Sequence, residues 1–179
     1  MNKRTLIING SPRPSGDSAF LINELKKQLD GDIVEISAYR SAITPCLDCR
    51  KCQETGCCIL HDDMNQIIEE HFDNIVLASP VYYGTLPGPV LSLMSRFQVY
   101  RSPLHTYPRK DKKGGLILVA GGTGNAKKAE HHINVLFKML RAKGHFDHQA
   151  TSLNTDELPA CEDKSAVEQI KDLAAWLNL

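Results

Sequence analysis

The chain has 179 residues, 42% of them hydrophobic, and its 21 basic and 21 acidic residues balance to a formal net charge of zero. That length fits one domain, residues 1–179, with a sizeable core. The neutral balance leaves no global field for nucleic acid or an anionic membrane. No apolar run approaches a bilayer span and no N-terminal signal region stands out, so the expectation is a cytoplasmic protein that acts on small molecules.

Thr5 to Ile8 is a continuous apolar run rich in β-branched residues, as expected of a strand buried on both faces of a parallel sheet. Ser18 to Leu29 then places Phe20, Leu21, Ile22, Leu25 and Leu29 largely on one helical face. Ile33 to Ile36 reads as a second strand after the Gly31-Asp32 turn. The segment from Thr44 to Cys58 has no periodicity and should be a long excursion, after which Asp62-Asp63 caps a helix carrying Met64, Ile67, Ile68 and Phe72. Asn74 to Ser79 is the most apolar strand and ends at Pro80; a Gly/Pro-rich loop leads to a helix from about Val90 to Tyr100. Residues 101–113 are basic and irregular. Gly115 to Ala120 is a fourth strand, and a helix with Ala129, Ile133, Leu136, Phe137 and Leu140 follows, stopped by Gly144. His145 to Ser152 reads as a weaker strand and Ala166 to Leu177 as the last helix.

Strands and helices alternate five times, which implies right-handed crossovers and a parallel sheet covered on both faces. Loops rich in Gly, Pro and Ser follow the first, third and fourth strands. The strand order 2-1-3-4-5 would bring those three loops together at a switch point, where such sheets bind ligands.

The first of these loops, Asn9-Gly10-Ser11-Pro12-Arg13-Pro14-Ser15-Gly16-Asp17-Ser18, lacks the lysine of a Walker loop and the glycine spacing of a dinucleotide fingerprint. Free N–H groups at the following helix start, with Ser11, Arg13, Ser15 and Ser18 around them, suit a phosphate monoester. The second loop, Ser79-Pro80-Val81-Tyr82-Tyr83-Gly84, offers flat aromatic surface. The third, Gly121-Gly122-Thr123-Gly124, offers backbone N–H groups where the absence of a side chain lets a planar ring come close. A phosphate at one end and a planar heterocycle at the other describes FMN.

Asn9-Gly10-Ser11-Pro12-Arg13, the cysteines at 46, 49, 52 and 58 followed by Asp62-Asp63-Met64, and Ser79 to Gly84 together resemble the NADPH-dependent FMN reductase family, in particular its branch related to iron-sulfur flavoproteins. The resemblance covers about residues 4 to 145. It implies a flavodoxin-like three-layer α/β sandwich, non-covalent FMN, and a homodimer or homotetramer with the flavin near a subunit interface. Carried over by motif, Ser11, Arg13 and Ser18 hold the phosphate, Pro80, Val81, Tyr82, Tyr83 and Gly84 line ribityl and ring, and Gly121, Gly122 and Thr123 form the turn beside the ring edge. In the helix after the Tyr loop, Arg96 is kept, whereas Leu91 and Ser95 stand where relatives commonly show Lys and Asp.

No side chain stands out as a general acid or base, and none is required when the flavin carries the chemistry. Of the six cysteines, five fall between Cys46 and Cys58. Cys46, Cys49, Cys52 and Cys58 have a spacing that suits a 4Fe-4S cube, zinc is a further option, and thiols without metal are the third. The neighbours Asp48, Arg50, Lys51, Gln53 and Glu54 suggest an exposed loop, so the expectation is FMN without stoichiometric iron in protein purified in air, with the cysteines free or disulfide-linked. The functional expectation is an oxidoreductase that takes hydride from NAD(P)H and reduces a quinone, a nitro or azo compound, or a flavin. The alternative is an iron-sulfur flavoprotein that carries electrons with ferredoxin.

Overall fold

The computed structural model describes residues 3–105, 110–122 and 126–179. Among the described residues six strands, β1 (Arg4–Asn9), β2 (Asp32–Ser37), β3 (Asn74–Pro80), β4 (Lys112–Val119), β5 (Ala142–Lys143) and β6 (Gln149–Ser152), form one sheet. Its order is β2-β1-β3-β4, with β5 and β6 both on the free edge of β4, and every pairing is parallel. Lys112 and Lys113 pair with β5, whereas Leu116 to Val119 pair with β6. The two short strands thus occupy one position end to end, and the expected order 2-1-3-4-5 is met with its fifth position split.

The alternation of side chains along β1 sorts the core. Leu6 and Ile8 enter one apolar cluster with Leu77, Leu116, Val90 and Phe137, while Ile7 enters the other with Val76, Ile117, Leu21 and Ile170. Helices α3 (Met64–Glu69), α4 (Gly88–Ser95) and α5 (Lys127–Leu140) cover the first face, and α1 (Asp17–Lys26) and α6 (Lys164–Asn178) the second. This is the flavodoxin-like three-layer arrangement. Each fully buried Leu or Ile contributes about 1.5–3 kcal/mol of apolar burial, and truncating Ile8 to Ala costs about 2–5 kcal/mol because close packing leaves a cavity. Among the described residues no helix is long and apolar enough to cross a membrane.

Four details differ from the sequence reading. Helix α5 ends at Leu140, with Arg141 in the left-handed region at φ 54° and its guanidinium on Asp111 at 2.7 Å. Gly144, at φ 86°, instead opens the next turn, and its carbonyl accepts from the N–H groups of Asp147 and His148. That turn consumes the first half of the expected strand, leaving only Gln149–Ser152 paired. The helix expected to run to Tyr100 tightens to 3-10 geometry over Arg96–Arg101. Finally, the cysteine excursion contains a short helix, α2 (Lys51–Thr55), which no periodicity announces.

Candidate functional site

The carboxyl ends of β1, β3 and β4 open onto a shallow cleft of about 190 Å³, lined by Ser11, Arg13, Ser18, Tyr82, Gly121 and Asp156 among others. Asn9 shapes its floor. The Asn9 side chain accepts from the Ser11 N–H at 2.9 Å and donates to Glu35 at 2.7 Å. Burial pushes the Glu35 carboxyl up, but bonds from Lys26 and Asn9 outweigh it and hold the group below the usual carboxylate range. Just past β1, Gly10 runs close against its neighbours, since a Cβ there would lie 2.6 Å from Val90 Cγ2 and 2.8 Å from Ser79 Oγ. Only glycine fits that approach without displacement.

The chain then turns into α1, whose N-cap is Gly16 and whose first turn receives no side-chain cap. The first-turn N–H groups and the positive end of the dipole therefore face the cleft without an internal acceptor. Ser11 and Ser18 are buried beside them, and the Ser18 hydroxyl has no protein partner among the described residues. Arg13 is exposed at the rim. This donor set fits the phosphate of FMN. Two carboxylates also line the cleft: Asp17, turned aside to accept from Ala160 N–H at 2.8 Å, and Asp156.

The Tyr82–Thr85 turn forms the outer wall. Tyr82 and Thr85 exchange both backbone bonds, at 2.9 and 3.0 Å, and the central residues Tyr83 and Gly84 have φ of 53° and 79°. Two left-handed central residues make a type I′ turn. Glycine adopts that conformation freely, whereas for Tyr83 it costs about 1–2 kcal/mol. The Tyr83 side chain is 100% exposed and that of Tyr82 is 41% exposed, so the energy of this turn is not repaid by packing within the chain.

Of the sequence-derived residues, Ser11, Arg13, Ser18, Pro80, Val81, Tyr82 and Gly121 line the cleft together. Ser15, Tyr83, Gly84 and Gly122 are not among its lining residues, and Thr123 lies outside the described residues. Gly121 has a different reason from the one its sequence suggests: a Cβ there would meet the Asp156 carboxylate at 2.6 Å, while Gly122 faces open space. Sequence reasoning missed Thr155 and Asp156. Their backbone N–H groups bond the carbonyls of Ala120 and Gly121, both at 2.9 Å, which ties the loop after β6 to the loop after β4. The strand order itself was the available signal, because it places the end of the fifth strand beside the end of the fourth.

A second cavity, of about 500 Å³, lies under the cysteine excursion. Cys46, Cys49, Cys52 and Cys58 all line it, together with Arg96 and Val99. The neck of the excursion is closed by Asp62, whose carboxylate accepts from the N–H groups of Thr44 at 2.9 Å and Met64 at 3.1 Å and from Arg96 Nη1 at 2.5 Å. Burial raises the Asp62 pKa, but these bonds bring it below the usual range. Within the excursion Asp48 and Arg50 adopt φ of 48° and 59°, unusual for residues with side chains, and curl the chain between the first three cysteines. Burial pushes the Cys52 thiol up, and the neighbouring Cys58, Cys46 and Cys49 add to it. The cysteines are free thiols, and among the described residues no three His, Cys, Asp or Glu side chains converge tightly enough to hold a metal ion as they stand.

Residues 4–152 match the family model described as NADPH-dependent FMN reductase. An iron-sulfur flavoprotein of Methanocaldococcus jannaschii is 30% identical over 142 residues, which span 74% of this chain and 72% of that protein. Iron-sulfur flavoproteins of Archaeoglobus fulgidus and Methanosarcina thermophila are 29% and 27% identical, over 73% and 68% of this chain, and the matches span 60% and 65% of their lengths. Among solved structures, an FMN-dependent NADH-azoreductase of Bacillus anthracis in complex with FMN superposes with a TM-score of 0.69 at 16% identity, covering 99% of this chain and 100% of that one. A WrbA-like flavodoxin of Agrobacterium tumefaciens gives 0.60 at 11% identity, over 98% and 95%. These two likenesses are of fold.

Proposed function

The chain belongs to the NADPH-dependent FMN reductase family, and from that premise we propose an FMN-dependent oxidoreductase, a single domain over residues 1–179, that takes hydride from NAD(P)H and reduces a quinone, a nitro or azo compound, or a free flavin. The observation that carries the reading is the uncapped start of α1 facing buried Ser11 and Ser18 at the ends of the strands. FMN, when bound, supplies the hydride and electron chemistry. The chain's own residues bind and orient. Ser11, Ser18 and Arg13 would hold the phosphate with the α1 N–H groups, and Asn9 keeps the loop in the shape that presents them. Pro80, Val81 and Tyr82 on one side and Gly121 on the other would flank the ribityl chain and ring.

A cleft of about 190 Å³ is smaller than the ~300–1,000 Å³ of pockets that enclose a whole small molecule. Part of an FMN held there would extend beyond the cleft, toward exposed Tyr83, and would need cover from a second copy, which supports a homodimer or homotetramer. The test is steady-state oxidation of NADH and NADPH by the FMN-loaded protein with a quinone, a nitroaromatic and an azo dye as acceptors. Turnover of at least one pair supports the reading; FMN-loaded protein that oxidises neither nucleotide with any acceptor refutes it.

The cysteine cavity favours a second reading, an electron carrier with an iron-sulfur cluster that works with ferredoxin. Four thiols at cluster-binding spacing line one cavity, and the curated relatives above carry the name iron-sulfur flavoprotein. Cys46, Cys49, Cys52 and Cys58 would hold the cluster once their thiols close on it. About four iron and four sulfide per chain after anaerobic preparation select this reading, and their absence selects the first.

A further inference from the structure

Among the described residues Arg96 is the largest side chain that the fold buries completely, and its guanidinium is spent almost entirely on the cysteine excursion. Nη1 donates to the Thr44 carbonyl at 2.9 Å and to Asp62 at 2.5 Å, and Nη2 donates to Cys58 Sγ at 3.5 Å. Nε is buried without a partner among the described residues. A buried ion pair is a poor device for stability alone, because desolvation of both charges offsets much of their attraction, and apolar residues of similar volume do as well or better. The arrangement has to be explained by what the guanidinium faces. It faces a thiol, at the wall of a cavity lined by three more.

We propose that Arg96 is a positioning residue for an iron-sulfur cluster: its fixed fork sets the Cys58 sulfur toward the cavity and places a buried cation beside the four-cysteine site. The proposal rests on the second reading above. A cluster held by four thiolates carries net negative charge and gains another on reduction, so a neighbouring cation and an N–H···S bond favour the reduced form and raise the reduction potential. Asp62 keeps the guanidinium from swinging away. Its other bonds, to the N–H groups of Thr44 and Met64, fix the two ends of the excursion to the same point. Ser95 adds a further tie, its hydroxyl accepting from the Cys46 N–H at 3.0 Å. Arginine suits this task because its rigid planar fork serves three acceptors at once, which an ammonium on a flexible stem does not reproduce.

The experiment compares wild type, Arg96→Lys and Arg96→Gln, each prepared anaerobically and reconstituted with ferrous iron and sulfide. Iron and sulfide are assayed, the midpoint potential is followed by EPR-monitored titration, and circular dichroism with flavin content verifies the fold. The expected result is a full cluster in wild type, and in folded Arg96→Gln either a loss of at least half the iron or a cluster of lower potential, with Arg96→Lys between the two. Wild-type iron content and an unchanged potential in both variants overturn the role of Arg96 alone. A wild type that takes up no iron and sulfide overturns the cluster reading and this inference with it.

Discussion

The two sites of this molecule are built in opposite ways. The cleft is assembled from the ends of three strands that the core fixes on both faces, and its donors are backbone N–H groups and short hydroxyls with little freedom. The cysteine cavity is assembled from one long excursion that contains a single short helix and is held at its neck by one buried ion pair. Precision in the first comes from the sheet. In the second it comes from Arg96 and Asp62, so the two should fail separately.

The most disruptive change is expected on the cysteine side. Asp62→Ala leaves the Arg96 guanidinium buried without its carboxylate, which costs about 3–5 kcal/mol. In a urea titration followed by far-ultraviolet circular dichroism the unfolding midpoint should fall, while the folded fraction keeps its flavin. An unchanged midpoint would show that the neck is not held as described.

On the cleft side, Ser11→Asp sets a carboxylate against the phosphate among donors and removes one hydrogen bond, a loss of roughly 3 kcal/mol or more in FMN binding. Flavin-free protein after gel filtration is expected, with cysteine reactivity unaltered. Retention of FMN by folded Ser11→Asp would misplace the phosphate.

Gly10→Ala tests how tightly the sheet sets the cleft. The added methyl meets Val90 and Ser79, and overpacking of this kind costs about 1–3 kcal/mol. Thermal denaturation should show a lower midpoint, and FMN affinity should weaken with it because Ser11 is the next residue. The smallest effect is expected at Tyr83→Gly. Freed from the left-handed conformation and losing no internal packing, the chain should gain about 0.5–1 kcal/mol of stability, while acceptor turnover falls if the exposed ring covers a flavin. A less stable Tyr83→Gly protein would mean that the tyrosine is packed in solution.

The cleft was more legible in the sequence than the cavity, for the same structural reason. A strand buried on both faces writes itself as a run such as Leu6-Ile7-Ile8 or Ile75-Val76-Leu77, and the Gly/Pro/Ser loops after those runs mark where the strands end. Alternation then implies a parallel sheet, the order 2-1-3-4-5 is the one that brings the three loops together, and that order delivers Ser11, Pro80, Tyr82 and Gly121 to one place. Asp156 escaped because its loop has no pattern of its own. Arg96 was visible as a residue shared with relatives but not as a buried one, since an arginine in a helical segment reads as solvent-facing unless the partner that draws it inward is known. That partner, Asp62, read as a helix cap. It does accept from Met64 N–H, and the same carboxylate also holds Arg96, a long-range contact that no local spacing encodes.

Whether the start of α1 holds the phosphate of FMN is decided by flavin-fluorescence titration of the apoprotein with FMN and with riboflavin. Two or more charge-assisted hydrogen bonds to the phosphate, each worth about 1.5–3 kcal/mol, predict one FMN per chain bound at least about 100-fold more tightly than riboflavin. Riboflavin binding as tightly as FMN would remove the phosphate from the start of α1, because the phosphate would then contribute nothing at the site built to receive it.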